Sequence, residues 1–97
     1  MFPVTRLIDF SAGADGCAPI PAIGATCYTV LINGRPPMVV GDLYGYHSCC
    51  DEHCEHPEIC VIGSPTVFVG GRQIIRSTSI LSCGDMALQG SPTVFVN

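Results

Sequence analysis

Apolar residues along this chain come in short runs closed by Gly, Pro or Asn. Thr66-Val67-Phe68-Val69 is followed by Gly70-Gly71, and Thr29-Val30-Leu31-Ile32 by Asn33-Gly34. β-Branched and aromatic runs favour extended backbone, and Gly-Gly or Asn-Gly supplies a tight hairpin turn. The proline of Gly63-Ser64-Pro65 fixes φ on entry to the run. A second segment follows each turn: Pro36-Pro37-Met38-Val39-Val40-Gly41-Asp42 in one place, Gln73-Ile74-Ile75-Arg76-Ser77-Thr78-Ser79 in another. The pattern predicts short β-hairpins. Eleven glycines and eight prolines argue against long helices.

The hairpins repeat. Gly63-Ser64-Pro65-Thr66-Val67-Phe68-Val69 recurs, identical, as Gly90-Ser91-Pro92-Thr93-Val94-Phe95-Val96, 27 residues later. A fixed period of this kind marks a repeat architecture. A degenerate copy runs from Thr29 to Gly34, with Leu31 for the phenylalanine and Cys27-Tyr28 for Ser-Pro. The last copy stops at Asn97, where its turn should begin. Its other half is at the start of the chain: Pro3-Val4-Thr5-Arg6-Leu7-Ile8-Asp9 aligns with Pro36 to Asp42 and Gln73 to Ser79. One unit split between the termini predicts a closed pseudo-threefold body with Asn97 beside Met1. A linear solenoid would need caps and would not divide a repeat this way. The chain reads as one all-β domain, residues 1–97, with room for one short helical turn in a loop.

Composition adds three points. Charged residues are 12% and the hydrophobic set 47%, so a surface is expected to be covered by a partner. A domain this small has a thin stability margin, and a metal or a docked partner would staple it. The net charge of −4 excludes the basic footprint of a nucleic-acid binder. Neither a signal peptide nor an 18-residue apolar run is visible, so folding in a cytosol is expected. Seven cysteines in that setting favour metal ligands and buried thiols over a disulfide framework. Cys27 and Cys60, beside strand segments, are expected to be buried apolar thiols.

All three histidines lie in His47-Ser48-Cys49-Cys50-Asp51-Glu52-His53-Cys54-Glu55-His56. His56 stands seven residues before Gly63, and Cys83 seven before Gly90. They are therefore equivalent in neighbouring units, and under threefold symmetry both face the axis. Counting seven back from Thr26 reaches Pro19, which cannot ligate; Cys17, two residues earlier, can.

These features resemble the PAAR-repeat family, whose members carry Gly-Ser-Pro-x-Val-x-Val-Asn-Gly, Pro-x-x-Arg and Val-Gly-Asp. Here Pro3-Val4-Thr5-Arg6 keeps the proline and arginine, Gln73-Ile74-Ile75-Arg76 the arginine, and Val40-Gly41-Asp42 is intact. The resemblance implies a small cone of β-hairpins with pseudo-threefold symmetry and a metal at its vertex. It implies a monomer whose base docks on a trimeric β-helical spike, with transient contact with a target membrane. The family's usual ligands, histidines and a cysteine, are matched by His47, His53, His56 and Cys83. Cys17 in place of His53 gives an equally good zinc set, and iron also accepts such ligands. Size and the cysteine-rich middle look most like the minimal version on T4-type contractile phages. That implies a virion location at the tail baseplate after assembly in the host cytoplasm. The alternative is a bacterial type VI secretion tip that also docks effectors, cytoplasmic and then secreted. No toxin extension is expected, since the sequence ends inside a repeat.

An enzyme is a weaker reading. Cys83 or Cys50 with His47 or His53, helped by Asp51 or Glu52, has the residue types of a nucleophile and base. A chain this short leaves little room for a substrate pocket, and the repeats already account for these residues. Dense cysteines would also suit a redox or metal-storage module, but no Cys-x-x-Cys pair occurs.

Overall fold

The computed structural model describes residues 1–13, 19–47, 56–82 and 85–97, and only the backbone of residues 46, 47 and 56–58. Its strands are β1 (Phe2–Pro3), β2 (Ala22–Gly24), β3 (Leu43–His47), β4 (His56–Ile59), β5 (Phe68–Val69), β6 (Arg72–Gln73) and β7 (Phe95–Val96). No helix occurs among the described residues. The strands form three antiparallel groups: β1 with β7, β5 with β6, and β2-β3-β4. The body is elongated, 37 × 23 × 22 Å.

The three aligned segments pack around a pseudo-threefold axis. Val4 pairs with Arg76, Ile74 with Val39, and Pro37 with Arg6, in each case the second position of one segment with the fourth of another. Three hydrogen bonds close the circle. The Thr5 N–H donates to the Ile75 carbonyl at 2.9 Å, Ile75 to Met38 at 2.8 Å, and Met38 to Thr5 at 2.9 Å. All three residues are fully buried. A closed ring pairs these main-chain groups and leaves no open edge at the axis. The split repeat closes as the sequence predicts: Phe2 pairs with Val96 and Pro3 with Phe95, matching Arg72 with Val69 and Gln73 with Phe68.

Each segment then makes one turn. The N–H groups of Asp9, Asp42 and Ser79 donate to the carbonyls of Arg6, Val39 and Arg76 at 3.0, 3.0 and 2.9 Å. Their side-chain oxygens accept from the N–H groups of the same three residues at 2.8, 2.9 and 3.0 Å. The third residue of a type II turn needs positive φ. It is 76° at Ile8, 96° at Gly41 and 77° at Thr78. Glycine meets that demand without strain; β-branched residues do not. Ile8→Gly is therefore expected to raise stability by about 0.5–1 kcal/mol, read as a higher denaturant midpoint. A lower midpoint would mean that the packing of Ile8 outweighs its backbone strain.

The core is stacked along the axis. The N–H groups of Ile8, Gly41 and Thr78 donate to the carbonyls of Ala22, Cys60 and Ala87 at 2.8, 2.8 and 2.7 Å, so these three small residues are equivalent. All are fully buried, as are Ser11 and Tyr44, with Leu81 nearly so. Ser11, Tyr44 and Leu81 are equivalent too, since they bridge to Ala87, Ala22 and Cys60. One layer thus combines a small, a large and a medium side chain. Cys60 is buried as the sequence predicts, whereas Cys27 is half-buried with its Sγ 3.8 Å from the Val69 carbonyl.

Tyr44 carries a cost. Its hydroxyl is buried with no partner in hydrogen-bond geometry among the described residues; the Thr5 side chain acts on the phenol but donates its own hydroxyl to the Gln89 carbonyl at 3.4 Å. Burial holds the phenol protonated, well above its usual titration range. An unpaired buried hydroxyl adds nothing to offset its lost hydration. Tyr44→Phe should match or exceed wild-type stability, by up to about 1 kcal/mol. A loss of that size in a thermal melt would reveal a hydrogen bond.

The first unit departs from the other two by one residue. Ten positions separate Ala22 from Ile32, whose pairing with Arg35 matches that of Val69 with Arg72; nine separate Cys60 from Val69. Counted from Ala22, the counterpart of Ser64 is Thr26, not Cys27. The residue equivalent to His56 and Cys83 is then Ala18 rather than Pro19, still beside Cys17. Ala18 and Cys17 lie outside the described residues.

Candidate docking and tip ends

One end of the body carries the hairpin turns. Asn33-Gly34 has φ of 54° and 81°, and Gly70-Gly71 of 61° and 80°, as a type I′ turn requires. Met1 and Asn97 occupy the third such place. The two identical arms are held identically. Ser64 Oγ accepts from the N–H groups of Thr66 and Val67 at 3.3 and 3.1 Å, and Ser91 Oγ from Thr93 and Val94 at 3.1 and 2.9 Å. Turn asparagines tie the arms to neighbouring units: Asn33 Nδ2 donates to Thr93 Oγ1 at 2.9 Å, and Asn97 Nδ2 to Thr66 Oγ1 at 3.4 Å. Phe68, Phe95 and Leu31, the third hairpin's residue in the sequence alignment, are all exposed. Together they leave an exposed apolar surface at this end, a candidate docking face.

Arginines clamp the joints between units. Arg35 Nη1 donates to the Leu7 carbonyl at 3.0 Å, and its Nη2 lies 3.4 Å from Asp9 Oδ1. Arg72 repeats this, with Nη1 3.1 Å from the Val40 carbonyl and 4.0 Å from Asp42 Oδ1. At the third joint Ser79 replaces the aspartate and Phe2 replaces the arginine. Charge and countercharge vanish together. Arg76 covers that joint instead, 4.3 Å above the Phe2 ring, with its Nε donating to the Asn97 carbonyl at 2.7 Å. Buried Arg6 adds a fork to Asp9, with Nε to Oδ2 at 3.0 Å and Nη2 to Oδ1 at 3.1 Å. Composition gave no sign of these joints. Their one sequence signal was the aligned Asp9, Asp42 and Ser79.

Two of the predicted metal ligands, His47 and His56, lie at strand ends. β3 and β4 end as register partners at His47 and His56, so the candidates at the two ends of the histidine- and cysteine-rich segment lie opposite each other on one ladder. The Ser82 N–H donates to the Ile59 carbonyl at 2.9 Å, and the Ile59 N–H to Ser82 Oγ at 3.0 Å. The residue just before Cys83 is thereby held against β4, three positions from His56. His53, Cys83 and Cys17 lie outside the described residues, as do Cys49, Cys50 and Cys54.

Three hairpin units close about one axis and leave an apolar face at one end. The sequence profile of the PAAR motif matches residues 20–89, and the chain belongs to the PAAR motif family. It is accordingly a strand-based PAAR spike-tip protein of contractile injection machinery. Comparison with curated proteins yields no match.

Proposed function

We propose that this chain sits as a monomer on the blunt end of a trimeric β-helical spike and sharpens it for piercing a cell envelope, in a contractile phage tail of the T4 type. The closed ring of Thr5, Ile75 and Met38 is the observation that carries the reading: a single chain with this symmetry can meet three identical subunits at once. The arms of Phe68 and Phe95 present the same side chains to two of them, and Leu31 meets the third. Family membership supports a structural role rather than an enzymatic one.

At the narrow end, His47, His53, His56 and Cys83 would hold one ion, best zinc, with Cys17 an alternative to His53. The donor set is sound: imidazole and thiolate suit tetrahedral zinc. The facing of His47 and His56, with Ser82 on the same ladder, supports it. A closed four-ligand ion supplies cross-links where a cone has too few residues for a core.

The docking test is direct. The double variant Phe68→Ser/Phe95→Ser should bind the trimeric spike at least about tenfold more weakly, since each loses an aromatic anchor. Its melting temperature should stay within a few degrees. Unchanged docking would move the interface to another face. Mass spectrometry of purified tails against secreted medium distinguishes the phage setting from a type VI secretion system.

A further inference from the structure

The two arms that carry phenylalanine are tied by turn residues of neighbouring units, and the arm that carries Leu31 is not. Asn33 meets the arm of Phe95. Its Nδ2 donates to Thr93 Oγ1 at 2.9 Å, and its Oδ1 accepts from Ser91 Oγ and, at 3.2 Å, from Arg6 Nη1. Asn97 meets the arm of Phe68. Its Nδ2 donates to Thr66 Oγ1 at 3.4 Å, and its carbonyl accepts from Arg76 Nε at 2.7 Å. Arg6 and Arg76 hold the same place in their aligned segments. Toward the remaining arm both partners change together: Gly70 stands for the asparagine and Val39 for the arginine. Gly70 lies against Cys27 of that arm, whose Sγ would be 3.0 Å from an added Cβ. Thr26, the counterpart of Ser91, donates instead to Asp42 Oδ1 at 2.7 Å.

The turn itself does not need the amide, since Gly70-Gly71 makes the same reversal without one. Asn33 instead completes a hub. The buried Ser91 Oγ accepts from the N–H groups of Thr93 and Val94 at 3.1 and 2.9 Å, and Asn33 Oδ1 takes the proton of that hydroxyl. Arg6, buried and forked to Asp9, anchors the amide to the core. A line of bonds therefore runs from Asp9 through Arg6, Asn33 and Ser91 to Val94, the residue before Phe95. A side chain held in place before binding loses less freedom on docking. We propose that Asn33 is a positioning residue of the docking face, acting through Ser91 and Thr93 to set Phe95. Asn97 is its counterpart for Phe68, and the Leu31 arm has no such tie among the described residues. This role presupposes docking through the hairpin end, and the two can fail separately.

The full chain would be titrated against the trimeric spike as wild type and as Asn33→Gly, which keeps a turn like Gly70-Gly71. Docking of the variant should weaken by about three- to tenfold, the effect of ordering a loosened side chain on binding. The loss should vanish when Phe95→Ser is already present and persist beside Phe68→Ser, because only residues that act through one another couple. Asn33→Asp should dock within about twofold of wild type: aspartate tolerates the left-handed backbone, and its carboxylate accepts from Arg6, Ser91 and Thr93 alike. In the free chain, hydrogen exchange at the Thr93 and Val94 amides should quicken about tenfold in Asn33→Gly, with Thr66 and Val67 unchanged. If Asn33→Gly does not fold, Thr93→Val should weaken docking about threefold with the same dependence on Phe95. Wild-type docking by Asn33→Gly, a loss as large beside Phe95→Ser as beside Phe68→Ser, or unchanged exchange overturns the proposal. If Phe68→Ser/Phe95→Ser docks like wild type, the interface lies elsewhere and this role falls with it. If that pair docks weakly and Asn33→Gly does not, the positioning role alone is lost.

Discussion

Stripping the proposed metal is expected to lower the thermal midpoint of this protein steeply. A structural zinc site contributes on the order of 10 kcal/mol of binding free energy, which becomes folding free energy when the site forms only in the native state. A domain of this size has about 5–10 kcal/mol of stability in total. If only a third of the binding energy reaches the described core, about 3 kcal/mol, the midpoint falls by roughly 12–24 °C. His56→Ala and Cys83→Ser should reproduce most of that fall and make the variant insensitive to chelator. Acid should act in the same direction, because protons compete with metal for imidazole and thiolate. An identical melt with and without chelator would remove the metal from the proposal. Elemental analysis would then distinguish a site that never filled from an ion that contributes nothing.

The second large effect is expected at two glycines. A Cβ on Gly63 would sit 2.5 Å from the Ile74 carbonyl oxygen, and one on Gly90 would sit 2.8 Å from the Val4 carbonyl oxygen and 2.7 Å from Pro3 Cβ. The obstacle is mostly backbone, and that backbone is fixed by hydrogen bonds. The Ser64 N–H donates to the same Ile74 carbonyl at 2.8 Å, and the Ser91 N–H to Val4 at 2.7 Å. Relief therefore means stretching a bond that holds the arm to its segment. Gly63→Ala and Gly90→Ala should each cost about 3 kcal/mol, the upper part of the range for overpacking. The first unit provides a control. Ala25 occupies the corresponding place and is buried, so Ala25→Gly should change stability by no more than about 1 kcal/mol. Measured denaturant midpoints would decide it. Tolerance at both glycines would show that the arms can shift outward without losing the fold.

Much of the architecture was legible because two kinds of signal agreed. Thr-Val-Phe-Val followed by Gly-Gly sets both extension and reversal locally, so the hairpins needed no tertiary information. The split repeat required a partner for Val94-Phe95-Val96, and Phe2-Pro3 supplies it. The register of the first unit was less legible. Hairpin and buried strand give counts differing by one there, and only the hydrogen bonds of Ala22 show on which side of Ala25 the extra residue falls. No helical turn appears among the described residues, where one was allowed for in a loop.

The candidate site divides in the same way. Spacing from Gly63 and Gly90 gave His56 and Cys83 equivalent places in neighbouring repeats, and Cys83 lies outside the described residues. That His47 and His56 are register partners was beyond that spacing, since pairing across a long intervening segment depends on where the ladder continues. The arginine joints were also hidden. Arg35 and Arg72 precede their segments by one residue, and their meaning appears only when Leu7, Asp9, Val40 and Asp42 come alongside from other units.

By itself, the sequence determined the two Gly-Ser-Pro arms, the turns, the count of three and the closure of the ring, because these depend on local backbone preference and on repetition. The tertiary structure alone decided which residues meet at the axis, where unlike side chains such as Ser11, Tyr44 and Leu81 share one layer, and how β2, β3 and β4 join in one sheet. Those outcomes are set by packing between segments far apart in the chain, whose neighbours no local pattern records.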